Sequence, residues 1–218
     1  GSSGCRAADA EHGAIMIDLL PSDVEQQIID GVAGFLTEEL PLARLRPGPD
    51  GERSADIGIS AEQWHGIAGL GWFGLGIPEE RGGAGFTVVA EMLVVREVGR
   101  YAVSPSISAT IAAACLAARA DSELLAGLLA GERRVAFASR LCAGSDESHL
   151  VDARGADHLL VVDGMQAQLY GAAAFGEVRP VISLDDAVTL ERARLTAGAR
   201  PLLQEADSDI GHRASLHN

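Results

Sequence analysis

Residues 69–100 read GLGWFGLGIPEERGGAGFTVVAEMLVVREVGR. The middle of this stretch, Gly76-Ile77-Pro78-Glu79-Glu80-Arg81-Gly82-Gly83-Ala84-Gly85, is a loop whose glycines fall too regularly for a linker. Gly82, Gly83 and Gly85 supply what a chain needs when it must turn with positive φ and bring backbone close to another segment. Directly after them Phe86, Val89, Ala90, Leu93, Val94 and Val98 recur at helical spacing. The pattern predicts a structured loop that hands over to a buried helix.

Working outward toward the N-terminus, Val24, Ile28, Ile29, Val32, Phe35, Leu36 and Leu40 mark one face of a helix over 21–40. Ser22 with Glu25 forms a capping box at its start, and Pro41 stops it. The segment RPGPDGERSADIGIS, residues 46–60, reads as an exposed connector. A second capping box, Ser60 with Gln63, opens a short helix with Trp64, Ile67 and Leu70 inward and Gly71 at its end. Toward the C-terminus, Ser104-Pro105 breaks the chain before an alanine-rich helix over 107–120, whose small residues allow close approach inside a bundle. Asp121 is then an N-cap candidate for a helix carrying Leu124, Leu125, Leu128 and Leu129 and closed by Gly131.

After Glu132 the period changes. Short apolar runs at 135–138, 158–162, 168–170, 178–182 and 187–190 read as strands, with Asp163-Gly164 as a turn. From Pro201 the sequence returns to helical character. The fold class is therefore α+β: an all-α N-terminal helical domain over 16–133, a small antiparallel β domain over 134–200, and the opening of a C-terminal helical segment over 201–218. Residues 1–15, GSSGCRAADAEHGAI, lack signal-peptide architecture and read as a disordered leader.

Composition narrows the function. A formal charge of −14 over 218 residues argues against sequence-independent nucleic-acid binding. No apolar run approaches the roughly 20 residues of a membrane span. Cys5, Cys115 and Cys142 are scattered and odd in number, which suggests neither disulfides nor a zinc site and fits a cytoplasmic protein. The six histidines show no metal-ligand spacing, and His65 and His158 read as structural or surface residues. Gly69-Leu70-Gly71-Trp72-Phe73-Gly74 matches G-x-G-x-x-G, but it ends a helix where a dinucleotide fingerprint must leave a strand. No G-x-S-x-G elbow occurs. Trp64 and Trp72 read as core, and the adjacent Glu79 and Glu80 as solvated acids.

The loop, the helix after it and its terminal phrase Glu97-Val98-Gly99-Arg100 resemble the acyl-CoA dehydrogenases, FAD enzymes that desaturate acyl-CoA thioesters. The resemblance runs from Met16 to the C-terminal residues, with Leu129-Ala130-Gly131-Glu132 at the family's boundary between helical and β domains and 209–216 at the opening of its C-terminal bundle. It implies that the family segment Thr-Glu-Pro-x-Ala-Gly-Ser-Asp, which passes over flavin and thioester, is matched here by Ser139-Arg140-Leu141-Cys142-Ala143-Gly144-Ser145-Asp146. By that carry-over Ser139 and Leu141 are cofactor-binding, and Gly144 and Ser145 substrate-binding; an ordinary turn leaving a strand is the competing reading of 144–146. Arg140 and Leu141 replace the family's Glu and Pro. A second flavin segment, Gly-x-Lys-x-(Trp)-Ile-(Thr/Ser), is not found around 162–167. The family's catalytic glutamate belongs to its C-terminal bundle, so no catalytic residue is assigned. Arg133, Arg134 and Arg140 are candidates for CoA phosphates or for plain surface charge.

Two functional readings follow from the resemblance. In the first the chain belongs to an FAD-dependent acyl-CoA dehydrogenase that removes an α-proton and passes the β-hydride to flavin. Its substrate is an acyl-CoA, it assembles as a homo- or hetero-oligomer, and an electron-transferring flavoprotein is its acceptor. In the second it is a catalytically degenerate partner subunit of a heteromeric dehydrogenase. A helical interaction module without flavin is a third possibility.

Overall fold

A computed structural model describes residues 21–46, 58–142, 144–164, 166–185 and 187–205. The leader at 1–15, most of the connector after Arg46 and the region from 206 onward lie outside the described residues.

Five α-helices come first among the described residues: α1 (Asp23–Glu39), α2 (Ala61–Gly69), α3 (Val88–Arg100), α4 (Ser106–Arg119) and α5 (Leu124–Leu129). Both capping boxes form. The Glu25 amide donates to Ser22 Oγ at 3.3 Å and the Gln63 amide to Ser60 Oγ at 3.2 Å, each answered by the acceptor's own backbone N–H. Helix α1 buries Ile29, Val32 and Leu36 and packs on α3, while Val24, expected on that face, lies a full turn too early and is exposed. Leu70 is likewise exposed, because the chain turns at Gly71 with φ +76 before it can point inward. The α3 stripe is Ala90, Val94 and Val98; Phe86 precedes the Thr87 cap, and Val89 lies on the open side.

The glycine loop folds back on the segment before it. Ala84 N donates to Gly74 O, Gly85 N to Ile77 O and Phe86 N to Leu75 O, at 2.8–3.0 Å. Gly82 and Gly85 take φ of +84 and +65, whereas Gly83 serves by its closeness to Ile77. Arg81, at the loop's tip, donates to the carbonyl of Ala118 and to Asp121 Oδ1, and so caps the last turn of α4. Helix α4 is buried from Ser106 through Ala118, as its small residues predict. Asp121 is not an N-cap: it sits at φ +51 and ends α4, and Ser122 Oγ accepts from Leu124 N instead.

Seven strands follow: β1 (Val135–Arg140), β2 (Glu147–Val151), β3 (His158–Asp163), β4 (Gln166–Gly171), β5 (Phe175–Val181), β6 (Leu190–Leu195) and β7 (Leu203–Glu205). They form one sheet ordered β5-β6-β2-β1-β3-β4-β7, antiparallel except for the parallel pair β1 and β3. Val135, Phe137, Leu160 and Leu169 face α4 and α5, and Ala138, Leu150, Leu159 and Tyr170 build a second cluster on the other face. One strand has no counterpart in the sequence pattern, and two expectations need correction. β2, rich in Glu, Ser and His, has too few apolar residues to register as a strand. The strand expected at 187–190 begins where that run ends, since β6 alternates Leu, Arg and Ala in register with β2. Residues 203–205 pair with β4 as strand β7 rather than opening a helix.

Candidate functional site

Strand β1 ends at Arg140, and the chain returns as β2 at Glu147, so the motif Ser139–Asp146 is the tip of a hairpin. Leu141 N donates to Glu147 O at 3.0 Å and Ser145 N to Cys142 O at 3.0 Å; Ser145 Oγ accepts from Glu147 N at 3.0 Å. The two serines thus differ in kind: Ser145 is spent on the turn, whereas Ser139 is an exposed side chain cross-strand from His149. Gly144 takes φ +76, and a Cβ there would meet no atom within 4 Å. Ser139 near the end of β1 and Leu141, Gly144 and Ser145 in the turn thus lie together at one end of the hairpin, with open space against the glycine.

Neighbouring strands hold this loop. Leu195 N donates to Asp146 O at 2.7 Å, and Arg194 reaches both Asp146 Oδ2 and Glu147 Oε1 at 3.0 Å. Asp146, then Glu147 and Glu177, push the Arg194 guanidinium pKa above its ordinary value. Arg140 lies under the loop, 3.5 Å from Ser145 O and from Gln168 Oε1, with Asp163 Oδ2 at 3.9 Å from its Nε.

Residues 162–167, where the second flavin segment is not found, span the end of β3 and the start of β4. Gly164 leaves β3 with φ +58, and β4 begins at Gln166. The Asp163-Gly164 turn stands where the sequence pattern put it. Tyr170 is buried, its hydroxyl donating to Gln168 Oε1 at 3.2 Å and its ring edge-on to Phe175 at 5.9 Å.

Arg133 and Arg134 stand at the opposite end of β1 from Arg140. Arg133 pairs with Asp157 at 3.5 Å, and the Arg134 guanidinium lies 4.3 Å over the Trp64 ring. His158, buried beside them, has its pKa pulled below the ordinary value by burial, with Asp157 opposing and Arg133 assisting. Among the described residues no three His, Cys, Asp or Glu side chains gather as a metal site, and no helix is long and apolar enough to cross a membrane.

Residues 22–130 match the family described as acyl-CoA dehydrogenase, N-terminal domain. The chain belongs to the acyl-CoA dehydrogenase family. Within it, acyl-CoA dehydrogenase FadE34 of Mycobacterium tuberculosis is 31% identical over 159 residues, which is 66% of this chain and 22% of that relative. Among solved structures, butyryl-CoA dehydrogenase from Megasphaera elsdenii superposes with a TM-score of 0.62 at 17% identity over 88% of this chain and 61% of its own. PigA, solved with FAD and proline, superposes with a TM-score of 0.66 at 18% identity, covering 91% and 63%. At those identities the superpositions show the dehydrogenase fold alone. The chain spans less than a quarter of the curated relative's length and under two thirds of each of these structures.

Proposed function

We propose that this chain supplies the helical and β parts of an FAD-dependent acyl-CoA dehydrogenase, with the hairpin tip Ser139–Ser145 as the wall against flavin and thioester. The observation that carries the reading is the tip's geometry: an exposed Ser139, an exposed Leu141 and open space over Gly144 leave backbone accessible to a bound group. These features fit a flavin laid along the loop. Bound there, FAD would supply the acceptor for a hydride from the acyl β-carbon. This chain's part is to hold the loop rigid, through Arg194, and to offer Ser139 and loop amides as hydrogen-bond partners. Proton removal needs a carboxylate within hydrogen-bond reach of the substrate, and none is assigned here. An acyl-CoA substrate, an oligomeric assembly, an electron-transferring flavoprotein as acceptor and a cytoplasmic setting belong to the same proposal. So does a boundary between the helical and β domains at 133/134, with β7 carrying the β domain on to Glu205.

A second reading, a partner subunit without its own catalysis, is favoured by one cluster. Arg140, which stands where the family pattern has Glu, and Tyr170 both donate to Gln168 Oε1, at 3.5 and 3.2 Å. The visible spectrum of the purified protein after incubation with excess FAD separates the two. About one flavin per chain supports the first; a colourless protein that acquires flavin only with a second subunit supports the other.

A further inference from the structure

We propose that a cavity on the far side of the molecule from the hairpin tip binds a small oxyanion, a phosphate or the phosphoryl group of a small metabolite. The cavity lies where the start of α4, the start of β1 and the end of β2 converge, and it encloses about 120 Å³. At about 10–15 Å³ per water this is room for several waters, and so for one tetrahedral anion with part of its hydration.

Its lining is cationic in a chain of net charge −14. Arg134 and Arg154 both line it, and neither makes an ion pair among the described residues. The Arg134 guanidinium rests on Trp64 and donates one hydrogen bond, to Ile59 O at 3.2 Å. A guanidinium carries five N–H donors, so most of its donor capacity is unspent. Burial pulls its pKa below the ordinary value, with Asp157 opposing. One carboxylate, Asp152, lines the cavity among the described residues, outnumbered by the two arginines. Its Oδ1 accepts from Thr189 N at 2.6 Å and Thr189 Oγ1 at 3.1 Å. Hydroxyls of Ser104 and Ser106 complete a polar wall; Ser106 is buried and donates to Asp152 O at 3.4 Å. Two cations against one carboxylate, with the Ser104 hydroxyl beside them, describe a place where an oxyanion would gain charge-assisted hydrogen bonds. None of these residues belongs to the hairpin tip, so the inference stands apart from the flavin reading.

The test uses the full chain and its tryptophan emission, since Trp64 lies against Arg134. Inorganic phosphate is titrated against potassium chloride at matched ionic strength, with glycerol 3-phosphate as a second probe. The expected result is a saturable change with at least one phosphate probe and none with chloride; the tighter probe tells a free ion from a phosphoryl group. Arg154→Gln, at an exposed position, is expected to weaken binding by about fivefold or more, as loss of one charged hydrogen bond does. Arg134→Lys keeps the charge but not the planar stack, and is expected to weaken it too. A response to phosphate that matches chloride, or an affinity unchanged in Arg154→Gln, overturns the proposal.

Discussion

Gly83 lies so close to Ile77 that a Cβ on it would stand 2.0 Å from the Ile77 carbonyl oxygen. That carbonyl accepts from Gly85 N at 2.8 Å, so it cannot swing away without breaking the turn. Gly83→Ala is expected to cost about 2–4 kcal/mol, the range of severe backbone strain. Gly99→Ala is the control: it sits in α3 with nothing within 4 Å of an added Cβ, and alanine there should stabilise by about 0.5–1 kcal/mol. Urea midpoints of the two variants, moving in opposite directions, check both; equal shifts would refute the close-approach account.

Arg81 acts on α4 mainly through a carbonyl. Its contact with Ala118 O caps a helix end, while its ion pair with Asp121 at 3.1 Å is largely exposed. Arg81→Ala should therefore cost about 1 kcal/mol. Asp121→Gly should cost little or stabilise, because Asp121 holds φ +51, a conformation that favours glycine. A double-mutant cycle should find a coupling below about 1 kcal/mol, the usual worth of a surface pair.

The loop and its helix were legible because their signals are local. Glycine spacing, two capping boxes and the Val94–Val98 stripe each act within a few residues, and all appear in the fold. Misses came where tertiary pairing overrides local pattern. β2 is Glu-Ser-His-Leu-Val, and only the sheet on both sides makes it a strand. β7 is three residues held by register with Ala167–Leu169. The parallel pairing of β1 with β3 depends on 141–157 going out and back as β2, which no single run of sequence announces. At the site, the residue order of the hairpin tip was readable, but not that Ser145 serves the turn while Ser139 is exposed.

His158 makes acid sensitivity predictable in sign. Its pKa is lowered in the folded state, by burial first, so the unfolded chain binds the proton more readily. Its contribution is fully present above the unfolded value of about 6.5 and is lost as pH falls through the folded value. Stability should drop below about pH 6.5, and His158→Gln should flatten that limb even if it lowers the plateau. Chemical denaturation at several pH values reads the slope; an unchanged slope in the variant would remove His158 as the cause.

Leu141 and Arg140 test whether departures from the family motif are reversible. Leu141 N closes the hairpin on Glu147 O at 3.0 Å, a bond that proline cannot donate. Leu141→Pro should therefore destabilise by about 1 kcal/mol rather than restore the family's loop. Arg140→Glu would turn a carboxylate toward Asp163, which now lies 3.9 Å from the Arg140 guanidinium. Like charges at that spacing repel, so the single change should weaken the hairpin. Arg140→Glu with Asp163→Asn should recover stability. If FAD uptake also rises in that double variant, Arg140 is what keeps flavin from the sheet and the partner-subunit reading gains. If uptake equals that of the unaltered chain, Arg140 does not gate the cofactor, and the change at this position is compatible with flavin.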